Sequence, residues 1–330
     1  MISEKVVDTG LKTNFKTKTL SILNSLQILA VLGLIFLFLS LAYPSFFTSI
    51  NLINIVRQQV ANLIAAAGMT FILINGEVDI SIGGSVALTS VVIAKTMQQY
   101  GIWPALLIGM CTGILICTVN AVVILEGRIP SFIATLGMMY MARSLAYVYT
   151  KNLFIAGLPE SFISFFNSKI FHIPVVLIIV VVVYAIAHIA LTRTRYGRYI
   201  FAVGSDKDIS KVMGINVKKV KYISFIVLGV CTGLASILLT SRLTGAQANT
   251  ATGFEFEVIS AVIIGGASLY GGVANILNTI VGVFIIALIR NGLNLSHTDI
   301  YWQNFVLGFV IVFAVFLDTW RTRIKDRKLY

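Results

Sequence analysis

Charged residues are scarce in this chain, and acidic residues are scarcer than basic ones. Only 12% of the 330 residues are charged, with 13 Asp and Glu against 25 Lys and Arg, while 58% are hydrophobic. A soluble domain carries about 25% charged residues, so the composition excludes that class. Several nearly uncharged runs reach about 18 residues, the length at which a helix crosses a bilayer. The sequence therefore predicts an all-α integral membrane protein.

Motifs of catalysis and nucleotide binding are also missing. The chain has no G-x-x-x-x-G-K-[ST] phosphate loop, which excludes ATP hydrolysis by this chain alone, and no G-x-S-x-G elbow. The three histidines form no metal or base motif, and the three cysteines lie in apolar runs, where packing is their usual role. We therefore expect no enzyme activity, no catalytic residue, no metal site and no cofactor bound by this chain.

The formal net charge of +12 is concentrated outside the apolar runs. Basic residues cluster in a tail at 1–20, in a loop at 192–221 (the basic loop) and in a tail at 321–330. Basic segments next to membrane spans belong in the cytoplasm, so this distribution predicts three cytoplasmic segments rather than a nucleic-acid partner. No cleavable signal peptide is expected, because about twenty polar residues precede the first apolar run.

About ten spans are predicted within one domain, residues 1–330, and an even number places both tails and the basic loop on one side. Some spans are short or interrupted by glycine, as in broken membrane helices. The predicted spans are approximately 22–43, 55–75, a third that ends near 97, 103–125, 131–149, 174–191, 222–240, 258–269, 276–289 and 303–318. A further helix lying in the membrane interface is predicted within 151–172, where Leu158, Phe162, Phe165 and Phe166 recur at helical spacing.

The basic loop is predicted to contain a short helix at Asp206–Met213. Ser205 or Asp206 can cap its N-terminus, Asp208 suits the first turn, and Gly214 suits the position after the C-terminus. These signals favour a shaped contact surface. On charge alone, a solvated loop that only sets topology is the alternative.

Two glycine-interrupted segments, Ile82–Leu88 and Ile264–Leu269, repeat one pattern in the two halves of the chain. Such repeats occur near the substrate path of transporters, or they let helices pack closely, and both interpretations stay open. Four basic residues lie in or near the ends of spans and either face a cavity or snorkel and pair structurally: Arg57, Lys95, Arg143 and Arg290.

One long block, R-L-T-G-A-Q-A-N-T-A-T-G-F-E-F-E-V-I-S-A-V-I-I-G-G-A-S-L-Y-G-G at 242–272, resembles the membrane subunit of ribose-type ABC importers. Shorter segments fit the same family: 75–88, 127–137, 197–204, 214–217 and 291–295. The likeness covers roughly residues 25 to 320. It implies an ABC importer permease bundle in the bacterial inner membrane, with both termini cytoplasmic. It also implies a separate ATPase subunit that holds ATP and Mg, a periplasmic or lipid-anchored sugar-binding protein, and a second permease copy or a sister permease.

The resemblance also assigns roles to residues. The helix in the basic loop corresponds to the one that docks on the ATPase, although Lys207-Asp208-Ile209 replaces the E-A-A of many relatives. The coupling segment is Ser205, Asp206, Lys207, Asp208, Ile209, Ser210, Lys211, Val212, Met213, Gly214 and Ile215. Independently of the resemblance, location near broken spans makes seven residues candidates for the translocation path: Asn75, Glu77, Asp79, Ser81, Ser85, Gln247 and Asn249. Loops 151–172 and 291–300 are candidate docking surfaces for the binding protein.

The implied substrate is ribose. Autoinducer-2, another pentose or hexose, and a nucleoside remain alternatives within the same architecture. An ion-coupled secondary carrier is the alternative from another class, and it would use Glu77 or Asp79.

Overall fold

The structure is a computed structural model that describes residues 25–327, so the predicted tail 1–20 and residues 328–330 lie outside it. Within the described range the chain forms thirteen helices and one two-stranded hairpin, which confirms the all-α class. The helices are α1 Ser25–Ala42, α2 Ser49–Ile74, α3 Ile82–Tyr100, α4 Ile102–Leu125, α5 Ser131–Thr150, α6 Glu160–Asn167, α7 Val175–Arg193, α8 Arg195–Ser205, α9 Lys207–Val212, α10 Val217–Leu243, α11 Phe254–Ile264, α12 Ile276–Leu295 and α13 Ile300–Arg327. The antiparallel strands are β1 Lys169–Ile170 and β2 Ile173–Pro174.

Five helices in the described range are long and apolar enough to cross a membrane: α1, α4, α7, α10 and α12. Helix α2 has sufficient length, but it carries polar residues such as Gln59 and Thr70, and nearly all of its second half is buried in protein. Helix α11 has only 11 residues. A helix surrounded by protein does not need a lipid-facing apolar surface, so hydropathy underestimates such segments. The count of ten spans stays a prediction.

Helices α2 and α10 form the centre of the bundle, and α10 packs on α2, α3 and α4. The crossing of α10 with α4 depends on small residues, because a Cβ at Gly113 would come within 2.7 Å of Gly229 O and 2.8 Å of Gly233 N. Side chains there would force the helices apart, as in other membrane helix pairs with small residues at their contact.

The polar contacts between helix ends fall on two opposite faces of the bundle. On the face that carries the basic loop, Lys218 at the start of α10 contacts Glu126 after α4 at 2.6 Å. On the other face, the side chains of Asn51 at the start of α2 and Asn291 near the end of α12 exchange two hydrogen bonds of 2.8 and 3.2 Å. The side of the membrane to which each face belongs stays a prediction.

Several predicted boundaries differ from the structure. Helix α8 was missed within the basic loop, because its one apolar side is short and its other residues are polar or basic. Helix α10 begins at Val217 rather than 222, so it extends beyond its apolar run into the basic segment. The predicted span 258–269 is shifted from α11, since the helix begins at Phe254 and stops at Ile264, where turns follow. The helix predicted within 151–172 is α6, and Phe162 is its buried residue.

Candidate functional site

The basic loop folds into two consecutive helices, α8 and α9. Asp206 separates them and caps α9, with Oδ1 accepting from Asp208 N at 2.8 Å and Ile209 N at 2.9 Å. An N-cap of this kind satisfies backbone donors that the first turn leaves without partners. Asp208 pairs with Lys211 at 3.1 Å, and Gly214 follows with φ +78°. The predicted short helix is therefore present, with Asp206 as its cap and Met213 just after its last residue.

Helix α9 displays apolar side chains to its surroundings. Ile209, Val212 and Met213 are 57%, 90% and 63% exposed, and we name these three residues the α9 patch. Ser210 on the other side of the helix is buried, and Ile215 after the turn packs against the main core. Ser205 closes α8 and is exposed, as are Lys207 and Lys211 on α9. The α9 patch, rimmed by lysines, has the character of a contact surface.

The end of α8 lies directly on two breaks in the membrane-embedded chain. Gly204, near the end of α8, lies against Ile74 at the end of α2 and against Gly271 and Gly272, which follow α11. Gly271 also lies against Gly76, and Gly272 N donates to Ile74 O at 2.9 Å. A Cβ on Gly271 would lie 2.7 Å from Gly204 O and 2.9 Å from Gly76 N, while a Cβ on Gly204 would overlap Ile74 O. We name Gly76, Gly204, Gly271 and Gly272 the glycine junction. Three chain segments meet there mainly through backbone atoms, with Ser205 Oγ beside Gly272.

The two repeated glycine segments also make close backbone contacts. A Cβ on Gly84 would lie 2.6 Å from Met139 O, and one on Gly265 would lie 2.8 Å from Asn278 O. Close packing is therefore one role of both segments. This role does not exclude proximity to a substrate path, because each segment begins or ends a helix beside buried polar groups.

Asp79 is the centre of a buried polar network at the break between α2 and α3. Its Oδ1 accepts from Ser81 N at 2.7 Å and Ser81 Oγ at 2.6 Å, and its Oδ2 accepts from Asn120 Nδ2 at 2.9 Å. Ser85 Oγ continues the network to Ser81 at 3.3 Å. Asn120 was not predicted as a site residue, because it stands alone in the apolar run of α4. A carboxylate held by three donors is oriented by its surroundings.

Asn75 and Glu77 belong to separate contacts near this network. Asn75 Nδ2 donates to Ser224 Oγ on α10 at 2.5 Å, and Tyr196 on α8 shares the same hydroxyl at 2.6 Å. Glu77 forms a largely buried ion pair with Lys221 of α10. Asn75 therefore connects α2 with α8 and α10. Glu77 faces the basic loop, and its fixed partner does not favour the proton relay of an ion-coupled carrier.

Gln247 and Asn249 do not join the other candidate path residues. They lie in the loop 244–253 between α10 and α11, where Gln247 N donates to Thr250 Oγ1 at 3.3 Å and Asn249 is exposed. Arg143 of α5 binds backbone carbonyls of this loop. The predicted set therefore divides into a group beside Asp79 and a group in this loop.

Structural pairing explains two of the four basic residues near span ends. Arg290 forms an ion pair with Glu257, which also accepts from Asn62 Nδ2 at 3.1 Å. Lys95 donates to Tyr149 O at 3.2 Å and lies over the Tyr149 ring, 4.0 Å from its centroid. Arg57 lines a small cavity of about 40 Å³ together with Arg242. Glu257 was not singled out from sequence, because only its partners on α2 and α12 give it significance.

Among the residues whose side chains the structure describes, 25–316 and 319, no group of His, Cys, Asp and Glu is arranged to hold a metal ion. The side chains near Asp79 are amides and hydroxyls, together with one carboxylate. Such groups can exchange hydrogen bonds with a polyhydroxylated solute. Whether these residues contact a solute, and whether α9 transmits movement to them, stay predictions.

Comparison with known proteins gives a consistent result. The family model described as "Branched-chain amino acid transport system / permease component" matches residues 51–315. The ribose import permease protein RbsC of Escherichia coli K12 is 36% identical over 297 residues, which are 88% of this chain and 92% of that protein. RbsC of Bacillus subtilis 168 is 36% identical over 291 residues, 87% of this chain and 90% of that protein.

Permeases named for other sugars are also similar. The D-allose permease AlsC of E. coli K12 is 34% identical over 294 residues, 88% of this chain and 89% of that protein. No solved structure shows a significant match. The chain therefore belongs to the branched-chain amino acid transport system / permease component family, as a permease of the ribose type of sugar ABC importer.

Proposed function

We propose that this chain is the translocation subunit of a ribose importer and that a separate ATPase drives it through α9. The observation that carries the proposal is the connection from the α9 patch, through α8, to the glycine junction. A capped, exposed helix is thereby attached to both broken segments of the bundle. The relatives named as ribose permeases support the choice of ribose.

The coupling step follows from the direct backbone contacts at the glycine junction. When the ATPase pair closes on ATP and Mg, the segment 205–215 is displaced with it. Gly204 then shifts against Ile74 and Gly271, because backbone atoms in contact cannot absorb the displacement by changing rotamers. Movement of the ends of α2 and α11 opens the bundle to one side and closes it to the other. ATP contributes only through its differential affinity for the two conformations.

The solute path in this proposal runs along the polar groups beside Asp79. Asn75, Asp79, Ser81 and Ser85 are buried between helices that end at or near the glycine junction. Gln247 and Asn249 lie toward the opposite face, where a solute would enter or leave. The path needs no strong binding, because a solute-binding protein supplies affinity.

The partners and placement complete the proposal. A periplasmic or lipid-anchored sugar-binding protein docks on loops 151–172 and 291–300, and a second copy of the chain, or a sister permease, completes the channel. The protein lies in the bacterial inner membrane with both termini and the basic loop in the cytoplasm. Cysteine introduced at Lys207 should react with an impermeant reagent only from the cytoplasmic side, and reaction from outside intact cells would reverse this orientation.

The decisive experiment is uptake of radiolabelled ribose into proteoliposomes that contain this chain, its ATPase and its binding protein. We expect uptake only with all three components and with ATP on the ATPase side. A test variant replaces Val212 of the α9 patch with Glu. It should abolish ATP-dependent uptake while the protein stays in the membrane. Uptake by this chain alone would reject the proposal and favour an ion-coupled carrier.

A second candidate substrate is another sugar, because permeases named for D-allose and L-arabinose are 34% and 29% identical to this chain. Competition in the same vesicles distinguishes the sugars. We expect unlabelled ribose to reduce uptake of labelled ribose more strongly than allose or arabinose does. Stronger competition by either of these would retain the importer and change its substrate.

A further inference from the structure

Arg143 holds the loop 244–253 through three backbone carbonyls. Its Nη1 donates to Ala248 O at 3.0 Å and Thr250 O at 2.6 Å, and its Nη2 donates to Ala251 O at 3.2 Å. Nη1 also lies 3.3 Å from Thr252 Oγ1. A planar guanidinium can serve acceptors from a fixed fork, whereas a lysine ammonium presents its donors from one point. We name this contact the Arg143 latch.

The same loop has one further attachment near its start. Ile155 N donates to Ala246 O at 2.8 Å, and Ala246 N donates to Ile155 O at 3.1 Å. With the loop in this position, Ala248 is 1% exposed. Helix α5 and the segment after it therefore hold the loop against the bundle, and Ala248 becomes accessible only when the loop moves.

Glu255, two residues beyond this loop, has an unsatisfied oxygen. Its side chain is 4% exposed, and Oε2 accepts no hydrogen bond. The carboxylate faces Gly83 at the start of α3, where no Cβ would fit. A buried carboxylate oxygen without a partner is unfavourable. Arg143 is the basic residue that acts on it electrostatically, although the described contacts include no ion pair between the two.

We propose that Arg143 is a positioning residue with two alternative partners. In the conformation described here it binds the carbonyls of loop 244–253, and in a second conformation, with the loop displaced, it pairs with Glu255. In each conformation the N–H groups of the guanidinium then have acceptors. When two conformations have similar free energies, a small difference in a ligand's affinity for them can shift the equilibrium from one to the other. The proposal rests on the proposed function, because alternating access supplies the second conformation.

The first test measures access to the loop and requires no sugar or ATPase. Ala248 is replaced by Cys in a Cys111→Ser background, and reaction with a hydrophilic maleimide is followed in purified protein. We expect slow labelling in the parent and at least about tenfold faster labelling with Arg143→Ala, as loss of charge-assisted hydrogen bonds implies. Lys95→Ala is the matched control, because Lys95 binds a carbonyl of α5 without touching the loop, and it should leave labelling slow.

Arg143→Lys provides a second variant in case Arg143→Ala fails to accumulate. It keeps the charge but lacks the fork, so we expect intermediate labelling, and added methylguanidinium should slow labelling of the Ala variant. Equal labelling of the parent and both Arg143 variants would contradict the proposal that Arg143 holds the loop 244–253. Labelling increased equally by Lys95→Ala would do the same.

The second test concerns Glu255. Glu255→Gln should leave labelling of the Ala248→Cys protein slow in the resting state but reduce ATP-driven uptake at saturating ribose by about tenfold. Because both residues act in one pair, the effects of Arg143→Ala and Glu255→Gln on uptake should be far from additive. Full uptake with Glu255→Gln, or additive effects, would remove Glu255 from the proposal. A chain that transports no ribose fails the proposed function, and the labelling series still decides whether the latch exists.

Discussion

Both faces of the bundle carry ion pairs between elements, such as Lys218 with Glu126 on one and Arg290 with Glu257 on the other, but their remaining contacts differ. On the face that carries α9, three backbone segments touch directly at the glycine junction. On the opposite face, long side chains reach between elements: Arg143 to loop carbonyls, Arg290 to Glu257, and Arg242 Nη1 to Gln58 O at 2.8 Å. Backbone contacts transmit displacement directly, whereas side-chain contacts can break and re-form. Under the proposed function, the glycine junction would transmit displacement from α9, and the Arg143 contact on the other face would break and re-form.

The largest expected effect comes from adding volume to the junction. Gly204→Val would place a branched side chain where even a Cβ overlaps Ile74 O. Overpacking costs typically about 1–3 kcal/mol, and more where backbone must move. We expect loss of ATP-driven uptake together with a lower melting temperature in detergent. Gly33→Ala is the control, because nothing lies within 4 Å of its Cβ, and an equal effect there would contradict the special role of the junction.

A smaller effect is expected from breaking an ion pair on the opposite face. Arg290→Met leaves Glu257 with Asn62 as its remaining direct partner, in a site where the carboxylate side chain is 13% exposed. Removing one member of a buried pair costs up to about 3–5 kcal/mol, and the 35% exposure of Arg290 reduces that value. The melting temperature should fall, and the double variant Arg290→Met/Glu257→Gln should recover part of the loss. A double variant less stable than Arg290→Met would show that the charge on Glu257 was not the cause.

The cap of α9 should matter less for stability than for coupling. Asp206→Ala removes the acceptor for Asp208 N and Ile209 N, at a cost of about 0.5–2 kcal/mol. We expect slower ATP-driven uptake with nearly unchanged melting, because α9 is exposed. Asp208→Ala is the matched control, since it removes only an exposed pair with Lys211 worth about 0–1 kcal/mol. Identical uptake by the two variants would show that the cap does not support coupling.

The smallest effect concerns the exposed ion pair beside the basic loop. The hydrogen bond from Lys218 lowers the pKa of Glu126 below its usual value. A carboxyl group with a lowered pKa stabilises the folded state above its unfolded pKa, and that contribution is lost as the pH falls through the folded pKa. As the pH falls below about 4.3, the melting temperature of the parent should therefore fall slightly more than that of Glu126→Gln. Parallel melting curves for both proteins from pH 7 to 3 would contradict this assignment.

The membrane class and the helix in the basic loop were predictable because their signals are local. The length of apolar runs, the carboxylate of Asp206 and the glycine at position 214 act within a few residues. Predictions failed where neighbours supply what the local sequence lacks. Helix α8 has little apolar surface of its own, but its end is held at the glycine junction. Helix α11 has only 11 residues, and Glu257 in its first turn pairs with Arg290 of α12.

The spatial grouping of the candidate path residues was only partly predictable, and their role in a path stays a prediction. Asn75, Asp79, Ser81 and Ser85 lie in one region, because they are close in sequence. Gln247 and Asn249 proved to lie elsewhere, and Asn120 was not recognised. Asn120 is 41 residues from its partner Asp79, and an isolated polar residue in an apolar run carries no sign of its partner.

By itself, therefore, the sequence determined that this chain is an all-α membrane permease with a capped helix in a basic loop. Composition, run length and capping chemistry require only neighbouring residues, and the long block at 242–272 carries the resemblance to the family. Only the tertiary structure decided which backbones meet at the glycine junction and which carbonyls Arg143 binds, 105 to 108 residues away. Those contacts depend on how the helices cross. A glycine or an arginine is compatible with many helix crossings, so its partner is fixed only when the helices pack.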